Sequence, residues 1–498
     1  MKKILITMLL FSIFSGAQAA KITDPAHDVT SYCATTSPDF PWANDECIAA
    51  YTNIQSVNVG GSIAFKVHTN PVQTFDVDFY RMGWDGVSES TWISGVTGKA
   101  GKKQPNCPMD TVTGETVCAW STQYTLTVPK TWKSGVYLAI LSNKAGWMTE
   151  VLFVVRNDAA IADFTYVVPT NTYAAYNNYP RWSTLTGKSF YDADSKGANT
   201  VAGSKRAVRV SYDRPQHHQF GSWSGSDWNE IHLVKWLEQN NYNVKYITDV
   251  DFNSITKANL IKNKGIIFGG HTEYWTKGMY DNAVLARDNG VSLAFFGANA
   301  AHWQVRLASA PSLIPNRSVI CYKDSATSNL DPNTNATLET KHWRDLGRPE
   351  QMLIGVQYYI AQDNSVSSWN YESVPHAPYV ISDNSSWAFN FTSFANGDSV
   401  PLLTGYEVDN LDPMYTAPTV KAGTSQILFA KSPFVTANGP IVNQQSSLYQ
   451  APSGAWVFGV GTISYSFALG KNAEGSTVYQ NDNIKQLTRN ILNKFITK

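Results

Sequence analysis

The chain has 498 residues, and its 39 basic and 39 acidic side chains balance. A balanced charge without a basic run argues against nucleic acid or an anionic membrane surface as the main partner. The length exceeds what one ordinary hydrophobic core serves, so we expect two domains.

The first nineteen residues have the pattern of a cleaved secretory signal. Lys2 and Lys3 precede an apolar run at residues 4–14, and small residues follow up to Ala19. The run is shorter than the roughly 20 apolar residues of a spanning helix, and no later segment reaches that length. We therefore expect export through the Sec route, cleavage after Ala19, and a mature chain without a membrane span in the periplasm or outside the cell.

The five cysteines agree with an oxidising compartment. Cys33 and Cys47 flank a short loop, as do Cys107 and Cys118, so two local disulfides are expected. Cys321 lies inside the apolar run 318–322 and is expected to be a buried, inert thiol. No Cys-x-x-Cys motif or His/Cys cluster indicates zinc.

Residues 20–157 read as short strands. Apolar and polar residues alternate, turns carry Gly, Pro and Asn, and no helical stretch intervenes; the runs lie at 63–67, 75–79, 124–128, 135–141 and 151–155. This pattern predicts an antiparallel β-sandwich of the immunoglobulin-like type, with a joint near residues 157–160.

Residues 160–498 change to alternating strands and helices. Strands are predicted at 206–212, 243–248, 265–268, 291–296 and near 426 and 456; helices are predicted at 228–239, 277–288, 298–307 and around 484–495. Such alternation predicts an α/β domain with a mainly parallel sheet, whose site lies at the carboxyl ends of the strands. An irregular stretch at about 323–418 is expected to be an insertion that covers one edge of the site.

Three strand-to-loop junctions carry polar residues. They lie at residues 269–275, 297–303 and 211–215, and they include His271, Glu273, Asn299 and Tyr212. Ionisable residues at neighbouring strand ends are well placed for catalysis, so these junctions predict a site.

Six segments together resemble one known family. They are residues 80–84 (YRMGW), 172–177 (TYAAYN), 213–215 (DRP), 270–275 (GHTEYW), 295–300 (FFGANA) and 405–407 (GYE). In this order they are similar to the N,N-dimethylformamidase large-subunit-like family. The resemblance implies a β-sandwich followed by a glutamine-amidotransferase-like α/β domain, and hydrolysis of the C–N bond of an amide.

The resemblance also implies a mononuclear ferric iron (Fe3+) held by two tyrosines and one glutamate. Carried over by motif, the ligands are Tyr173, Tyr212 and Glu273. Ferric iron prefers anionic oxygen donors, and its charge lowers the pKa of tyrosine toward neutrality. The ion would polarise the amide carbonyl and activate water.

Further roles follow from the same resemblance. His271 and Glu407 would form a base and its orienting partner, Asn299 would donate to the developing oxyanion, and Lys323 would serve binding or gating. The expected partners are a small amide substrate and either a small companion subunit or a second copy of the chain.

Other interpretations remain open at this stage. Tyr173 and Tyr212 have the character of core aromatics, and Glu273 that of a loop carboxylate or general base. A metal-free amidase would rely on His271 and Glu407. A non-catalytic protein would use the 25 Tyr and 16 Trp residues to bind a glycan or a cell-surface polymer. No Gly-x-Cys-x-Gly or Gly-x-Ser-x-Gly elbow is present, and His302 is expected to be structural inside a helix.

Overall fold

A computed structural model describes most of the chain. The described residues are 48–87, 90–180, 187–216, 230–309, 314–361, 376–435, 441–470 and 479–497. The expected signal segment and the expected Cys33–Cys47 disulfide lie outside them. Among the helices in these ranges, none has both the length and the apolar character needed to cross a bilayer.

The amino-terminal part is built from eight strands in two sheets. The strands are β1 Ile48–Thr52, β2 Ser56–Asn58, β3 Ser62–Thr69, β4 Thr74–Met82, β5 Ser90–Ala100, β6 Tyr124–Thr127, β7 Gly135–Asn143 and β8 Met148–Arg156. One sheet has the order β1-β3-β6 and the other β2-β8-β7-β4-β5. Their pairings are antiparallel except that of β2 with β8.

Period-two alternation places the core of this part. Ile63, Phe65 and Val67 of β3 are fully buried and pack in one cluster with Phe75 and Val77 of β4. Within residues 48–87 and 90–157 the structure contains no helix, as the sequence predicts. The disulfide between Cys107 and Cys118 is confirmed.

The remaining elements include both strands and helices. They are β9 Phe164–Val168, α1 Thr170–Tyr176, β10 Arg209–Ser211, α2 Glu230–Gln239, β11 Val244–Thr248, α3 Asp249–Asn253, α4 Lys257–Leu260, β12 Gly265–Gly269, β13 Tyr274–Thr276, α5 Lys277–Asp288, β14 Ser292–Phe296, β15 Trp303–Ala308, β16 Ser318–Ile320, α6 Gln351–Ile354, β17 Gln357–Ala361, β18 Ala377–Val380, β19 Ser399–Thr404, β20 Glu407–Asn410, β21 Ile427–Val435, β22 Ile441–Gln450, β23 Trp456–Gly459 and α7 Asp482–Ile496. Short 3-10 turns lie at Ala336–Leu338, Trp343–Leu346, Trp387–Phe389 and Tyr465–Leu469.

A seven-stranded sheet organises this part, in the order β11-β9-β12-β14-β23-β22-β21. The pairings from β11 to β23 are parallel, and those of β23 with β22 and β22 with β21 are antiparallel. Its central strands are buried on both faces, which explains their continuous apolar sequences. One face packs against α2 and α7, and the other packs against α3 and α5.

The predicted helix at 298–307 is wrong. Residues 297–302 form a turn, and residues 303–308 are strand β15, which pairs with β13 and β16. Asn299 and Ala301 have φ angles of 55° and 53°, which interrupt a right-handed helix. Strand pairing with distant partners therefore overrides the local helical pattern.

The third predicted junction also lies elsewhere. Strand β10 belongs to a separate four-stranded sheet, in the order β10-β16-β15-β13, so residues 211–215 do not follow a neighbour of β12 and β14.

The described residues of the stretch at 323–418 contain four short strands in two pairs, β17 with β20 and β18 with β19. The whole is a β-rich mixed fold with few helices, and the domain limits stay predictions.

Candidate active site

Three adjacent parallel strands deliver the central residues of the candidate site. After β9 the chain enters α1, which carries Tyr176; after β12 come His271 and Glu273; after β14 comes Asn299. Because the carboxyl ends of neighbouring parallel strands meet at one edge of the sheet, these side chains converge. His271, Glu273 and Asn299 are each at most 3% exposed.

Two glycines allow the loops to meet. A Cβ atom at Gly297 would lie 2.1 Å from the carbonyl oxygen of Gly270, so the second loop packs directly on the first. Gly270 itself has a φ of 57°, and a Cβ there would lie 2.1 Å from Oε1 of the buried Glu230. Glycine is therefore required at both positions for the loops to approach.

Glu273 lies at the centre of a group of phenols. Its Oε2 atom is 3.1 Å from the hydroxyl oxygen of Tyr176 and 2.9 Å from that of Tyr191. The two hydroxyl oxygens are 2.7 Å apart, and the hydroxyl of Tyr274 lies 2.7 Å from that of Tyr191. We call Tyr176, Tyr191, Tyr274 and Glu273 the phenol–carboxylate cluster.

This cluster has fewer protons than contacts. The hydroxyl oxygens of Tyr176 and Tyr191 and Oε2 of Glu273 form a triangle with sides of 2.7, 2.9 and 3.1 Å. Each phenol has one proton and an ionised carboxylate has none, so two protons serve three contacts. Oxygens bound at right angles to one ion at about 2.0–2.1 Å are about 2.8–3.0 Å apart. The triangle therefore fits a set of oxygen ligands around a single cation.

The charges of the cluster agree with this fit. Burial alone raises the pKa of Glu273, but the hydrogen bond and charge of His271, together with Lys323, lower it to about 2. Burial, reinforced by the charge of Glu273, raises the pKa of Tyr176 and Tyr191 well above 10. The phenols consequently stay neutral unless a cation lowers their pKa.

A histidine and a second glutamate lie beside the cluster. Nε2 of His271 is 3.3 Å from Oε2 of Glu273 and 3.0 Å from Oε2 of Glu407. Burial lowers the pKa of His271, but Glu407 and Glu273 outweigh it and raise the value to about 10. His271 therefore holds a proton at Nε2 between two carboxylates. Glu407 is 7% exposed, more than the other three site residues.

Asn299 is held by two residues of one strand. Its side-chain Nδ2 donates to Oε1 of Glu407 at 3.2 Å, and its backbone N–H donates to Oδ1 of Asp409 at 2.8 Å. Nδ2 also lies 3.4 Å from Nε2 of His271. Glu407 and Asp409 are two positions apart on β20, so their side chains point to the same face of that strand.

Lys323 lies over the aromatic side of the cluster. Its Nζ is 3.6 Å from the ring centre of Tyr191 and 5.5 Å from those of Tyr274 and Trp303. Burial lowers its pKa, and the charge of Glu273 opposes that effect. The structure thus brings together four residues that the sequence nominated: His271, Glu407, Asn299 and Lys323.

Tyr173 and Tyr212 contact residues other than Glu273. The hydroxyl of Tyr212 donates to Oδ1 of Asn171 at 2.6 Å, and burial together with the neighbouring carboxyl of Glu230 raises the pKa of Tyr173 well above 10. Both side chains line a cavity of about 70 Å³ between α1 and the amino-terminal sheets, and Glu273 is not among its lining residues. The tyrosines that contact Glu273 are Tyr176 and Tyr191.

Sequence reasoning missed Tyr176 and Tyr191 for different reasons. Tyr176 is part of the same six-residue motif as Tyr173, but it lies about 4.5 Å further along the axis of α1, and only Tyr176 reaches Glu273. Tyr191 lies in an irregular segment outside every motif, where the backbone N–H of Phe190 bonds to Ala175. Apart from the tyrosine itself, nothing in the sequence around position 191 predicts a role in the site.

Two further residues near the site, His302 and Cys321, have identified surroundings. His302 lies between the turn and β15, where Nδ1 is 3.1 Å from Oε1 of the fully buried Glu350. Cys321 is a buried free thiol, as expected, and burial raises its pKa to about 12; its inert character stays a prediction. In the described ranges no three His, Cys, Asp or Glu side chains form a metal site.

Comparison with known proteins gives one family. The family model described as N,N-dimethylformamidase beta subunit-like, C-terminal, matches residues 76–480. A curated relative, the N,N-dimethylformamidase beta subunit of Alcaligenes sp., is 23% identical over 371 residues. That alignment covers 68% of this chain and 45% of the relative, so the chain spans less than half of that relative's length.

Solved structures show only remote similarity. A superoxide reductase from Ignicoccus hospitalis is 13% identical, with a TM-score of 0.14, over 22% of this chain and 80% of that one. A cycloisomaltooligosaccharide glucanotransferase from Paenibacillus sp. is 9% identical, with a TM-score of 0.17, over 53% and 56% of the two chains. Scores this low carry no argument about fold or function.

Proposed function

The chain belongs to the N,N-dimethylformamidase beta subunit-like family, and from that premise we propose that it hydrolyses the C–N bond of a small linear amide. The observation that carries the proposal is the phenol–carboxylate cluster beside His271 and Glu407. Buried carboxylates, phenols and an imidazole meet within hydrogen-bond distance at the carboxyl ends of parallel strands. The relative is the beta subunit of an N,N-dimethylformamidase, and this suggests an amide as the class of substrate.

We further propose that Tyr176, Tyr191 and Glu273 hold a ferric ion. The three-oxygen triangle with two protons supports a cation there, and anionic oxygen donors are the ligands that ferric iron prefers. This assignment keeps the two-tyrosine, one-glutamate composition expected from the sequence and replaces Tyr173 and Tyr212 by the tyrosines that contact Glu273. A bound ferric ion would supply a Lewis acid that polarises the amide carbonyl.

The protein's own residues account for the proton transfers. Glu407, through its contact with His271, is placed to take a proton from the attacking water, and the pair can return that proton to the departing amine nitrogen. One water molecule and one amide then give one carboxylic acid and one amine. Asn299 fixes the direction of the Glu407 carboxylate, because its Nδ2 donates to Oε1. Lys323 adds a positive charge near the developing oxyanion.

The finer parts of the expected architecture and setting are also proposals. We propose that the two amino-terminal sheets form an immunoglobulin-like sandwich and that the seven-stranded sheet belongs to an amidotransferase-like domain.

Export to the periplasm or the medium is supported by the disulfide between Cys107 and Cys118. A companion subunit is supported by the relative's being a beta subunit, and co-purification from the native host tests it.

The experiment is a hydrolysis assay with defined amides. Purified protein loaded with ferrous or ferric iron is incubated with formamide, N-methylformamide and N,N-dimethylformamide, and the release of formate and amine is measured. We expect turnover that Glu273→Gln abolishes. Absence of turnover with all three amides, together with saturable binding of a glycan, would instead favour a binding protein. Turnover that survives complete removal of metal would favour an amidase based on His271 and Glu407 alone.

A further inference from the structure

The turn between β14 and β15 holds Asn299 in an uncommon conformation. Its φ of 55° lies in the left-handed region, and Ala301 two residues later has a φ of 53°. Non-glycine residues occupy this region only when their surroundings hold them there. Because the side chain of Asn299 contacts both Glu407 and His271, the backbone of this turn decides the geometry of the candidate site.

One contact holds the backbone of Asn299 directly. Its N–H donates to Oδ1 of Asp409 at 2.8 Å, across 110 residues of sequence. Asp409 is 1% exposed, and its own backbone N–H is fixed by the carbonyl of Gly461 at 3.0 Å. The acceptor therefore sits on a rigid strand, while the group it holds lies on a turn.

The carboxyl group of Asp409 lies in surroundings that disfavour its charge. Burial raises its pKa to about 7, and the nearby charges of Glu407 and Glu350 act in the same direction, while Arg344 opposes them. Burying a carboxyl group costs free energy unless it is hydrogen-bonded. An apolar side chain would fill the same space without that cost, so the hydrogen bond to Asn299 is what the carboxyl group adds.

We propose that Asp409 is a positioning residue for the amide hydrolysis proposed above: by binding the backbone N–H of Asn299, it keeps the Asn299 amide on Glu407 and beside His271. The role depends on an acceptor oxygen at this place and does not require a negative charge. An asparagine at position 409, whose Oδ1 occupies the same place, should therefore keep this role, and an alanine should lose it.

Crystal structures of the Asp409→Asn and Asp409→Ala variants of the full chain test this directly. We expect Asp409→Asn to keep the positive φ of Asn299 and its contact with Glu407. We expect Asp409→Ala to lose both, as the turn relaxes to a negative φ. An unchanged Asn299 in Asp409→Ala would overturn the proposal. If that variant does not fold, Asp409→Ser, whose hydroxyl is too short to reach, takes its place with the same expectation.

Kinetics with N,N-dimethylformamide give a second readout. A displacement of about 1 Å in a catalytic group costs on the order of 100-fold in rate, so kcat of Asp409→Ala should fall by about that factor with KM little changed. Asp409→Asn should keep most of the wild-type kcat, and equal kcat losses in the two variants would overturn the role of the acceptor oxygen.

As a control, Asp331→Asn weakens a buried ion pair with Arg306 and should lower the melting temperature without changing kcat. If the wild type does not hydrolyse the amide, the proposed function fails and the crystal structures alone decide the role of Asp409.

Discussion

The hydroxyl oxygens of Tyr176 and Tyr191 lie 2.7 Å apart, and both also contact Oε2 of Glu273. Three oxygens at these distances share two protons, which leaves one contact without a hydrogen. A cation bound to all three oxygens, as proposed above, would stabilise that contact. The proposed chemistry of the protein rests on this relationship more than on any single residue.

The first prediction concerns the charge of Glu407. Glu407→Gln keeps an oxygen that accepts from Asn299 but removes the carboxylate that pairs with His271. General acid–base groups contribute about 100- to 10,000-fold to rate, so kcat for N,N-dimethylformamide should fall within that range. Iron content, measured by atomic absorption, should stay at the wild-type level, because Glu407 is not a proposed ligand. A variant that keeps wild-type kcat would remove Glu407 from the proton transfer.

The second prediction concerns the close approach at Gly270. Gly270→Ala places a Cβ atom 2.1 Å from Oε1 of the buried Glu230, in addition to the strain of a φ of 57°. Gly423→Ala is the matched control, since Gly423 has a φ of 78° but no heavy atom within 4 Å of the new Cβ. Strain alone costs about 1 kcal/mol, and a steric conflict in the core adds about 1–3 kcal/mol. Calorimetry should give a fall in melting temperature at least twice that of the control; equal falls would contradict the packing described here.

The third prediction concerns the pH dependence of stability. Burial raises the pKa of Glu230 from 4.5 to about 8, although a hydrogen bond from its own backbone and the charge of His271 oppose that effect. The folded state thus binds the proton more tightly than the unfolded state. The stability contributed by the protonated group is complete below about pH 4.5 and is lost as the pH rises through 8, by about 1.4 kcal/mol per pH unit at most.

Glu230→Gln tests this, because glutamine cannot ionise. The melting temperature of the wild type should fall relative to that of the variant between pH 5 and pH 8.5. The difference between the two proteins is the quantity to compare, since other groups titrate equally in both. Parallel melting curves across this range would show that Glu230 does not carry the buried proton.

The fourth prediction concerns the disulfide of the amino-terminal part. Cys107 and Cys118 close a loop with a sequence separation of 11, and cross-linking a loop of that size stabilises a protein by about 3 kcal/mol. Reduction with dithiothreitol should lower the melting temperature of the wild type. The double variant Cys107→Ser, Cys118→Ser should start at the lower temperature and not respond to the reductant. A wild type that melts unchanged after complete reduction would contradict the expected contribution.

Much of the fold could be predicted where the local pattern and the final structure agree. Helix α5 begins and ends where its sequence predicts, and the buried strands β12 and β14 coincide with continuous apolar runs. Strand β15 could not be predicted in this way, because its partners β13 and β16 supply the hydrogen bonds that make it a strand. Its own residues fit a helix equally well.

The residues of the candidate site also differ in whether the local sequence pattern predicts their position. His271 and Glu273 follow a recognisable buried strand, so their position at the sheet edge could be predicted. The choice between Tyr173 and Tyr176 depends on where α1 lies along its own axis relative to the loop that carries Glu273, which a motif does not record. Asp409 could not be found at all, since the hydrogen bond behind its proposed role joins it to a backbone group 110 residues away.

The iron content of three matched tyrosine variants tests the central claim most directly. The wild type, Tyr176→Phe, Tyr191→Phe and Tyr212→Phe are purified after iron loading and compared by metal analysis and visible absorption. We predict one iron per chain and a phenolate-to-iron absorption band in the wild type and in Tyr212→Phe, and loss of both in Tyr176→Phe and Tyr191→Phe. A wild type that binds no iron, or a band that disappears in Tyr212→Phe and persists in Tyr191→Phe, would contradict the assignment of the metal to the phenol–carboxylate cluster.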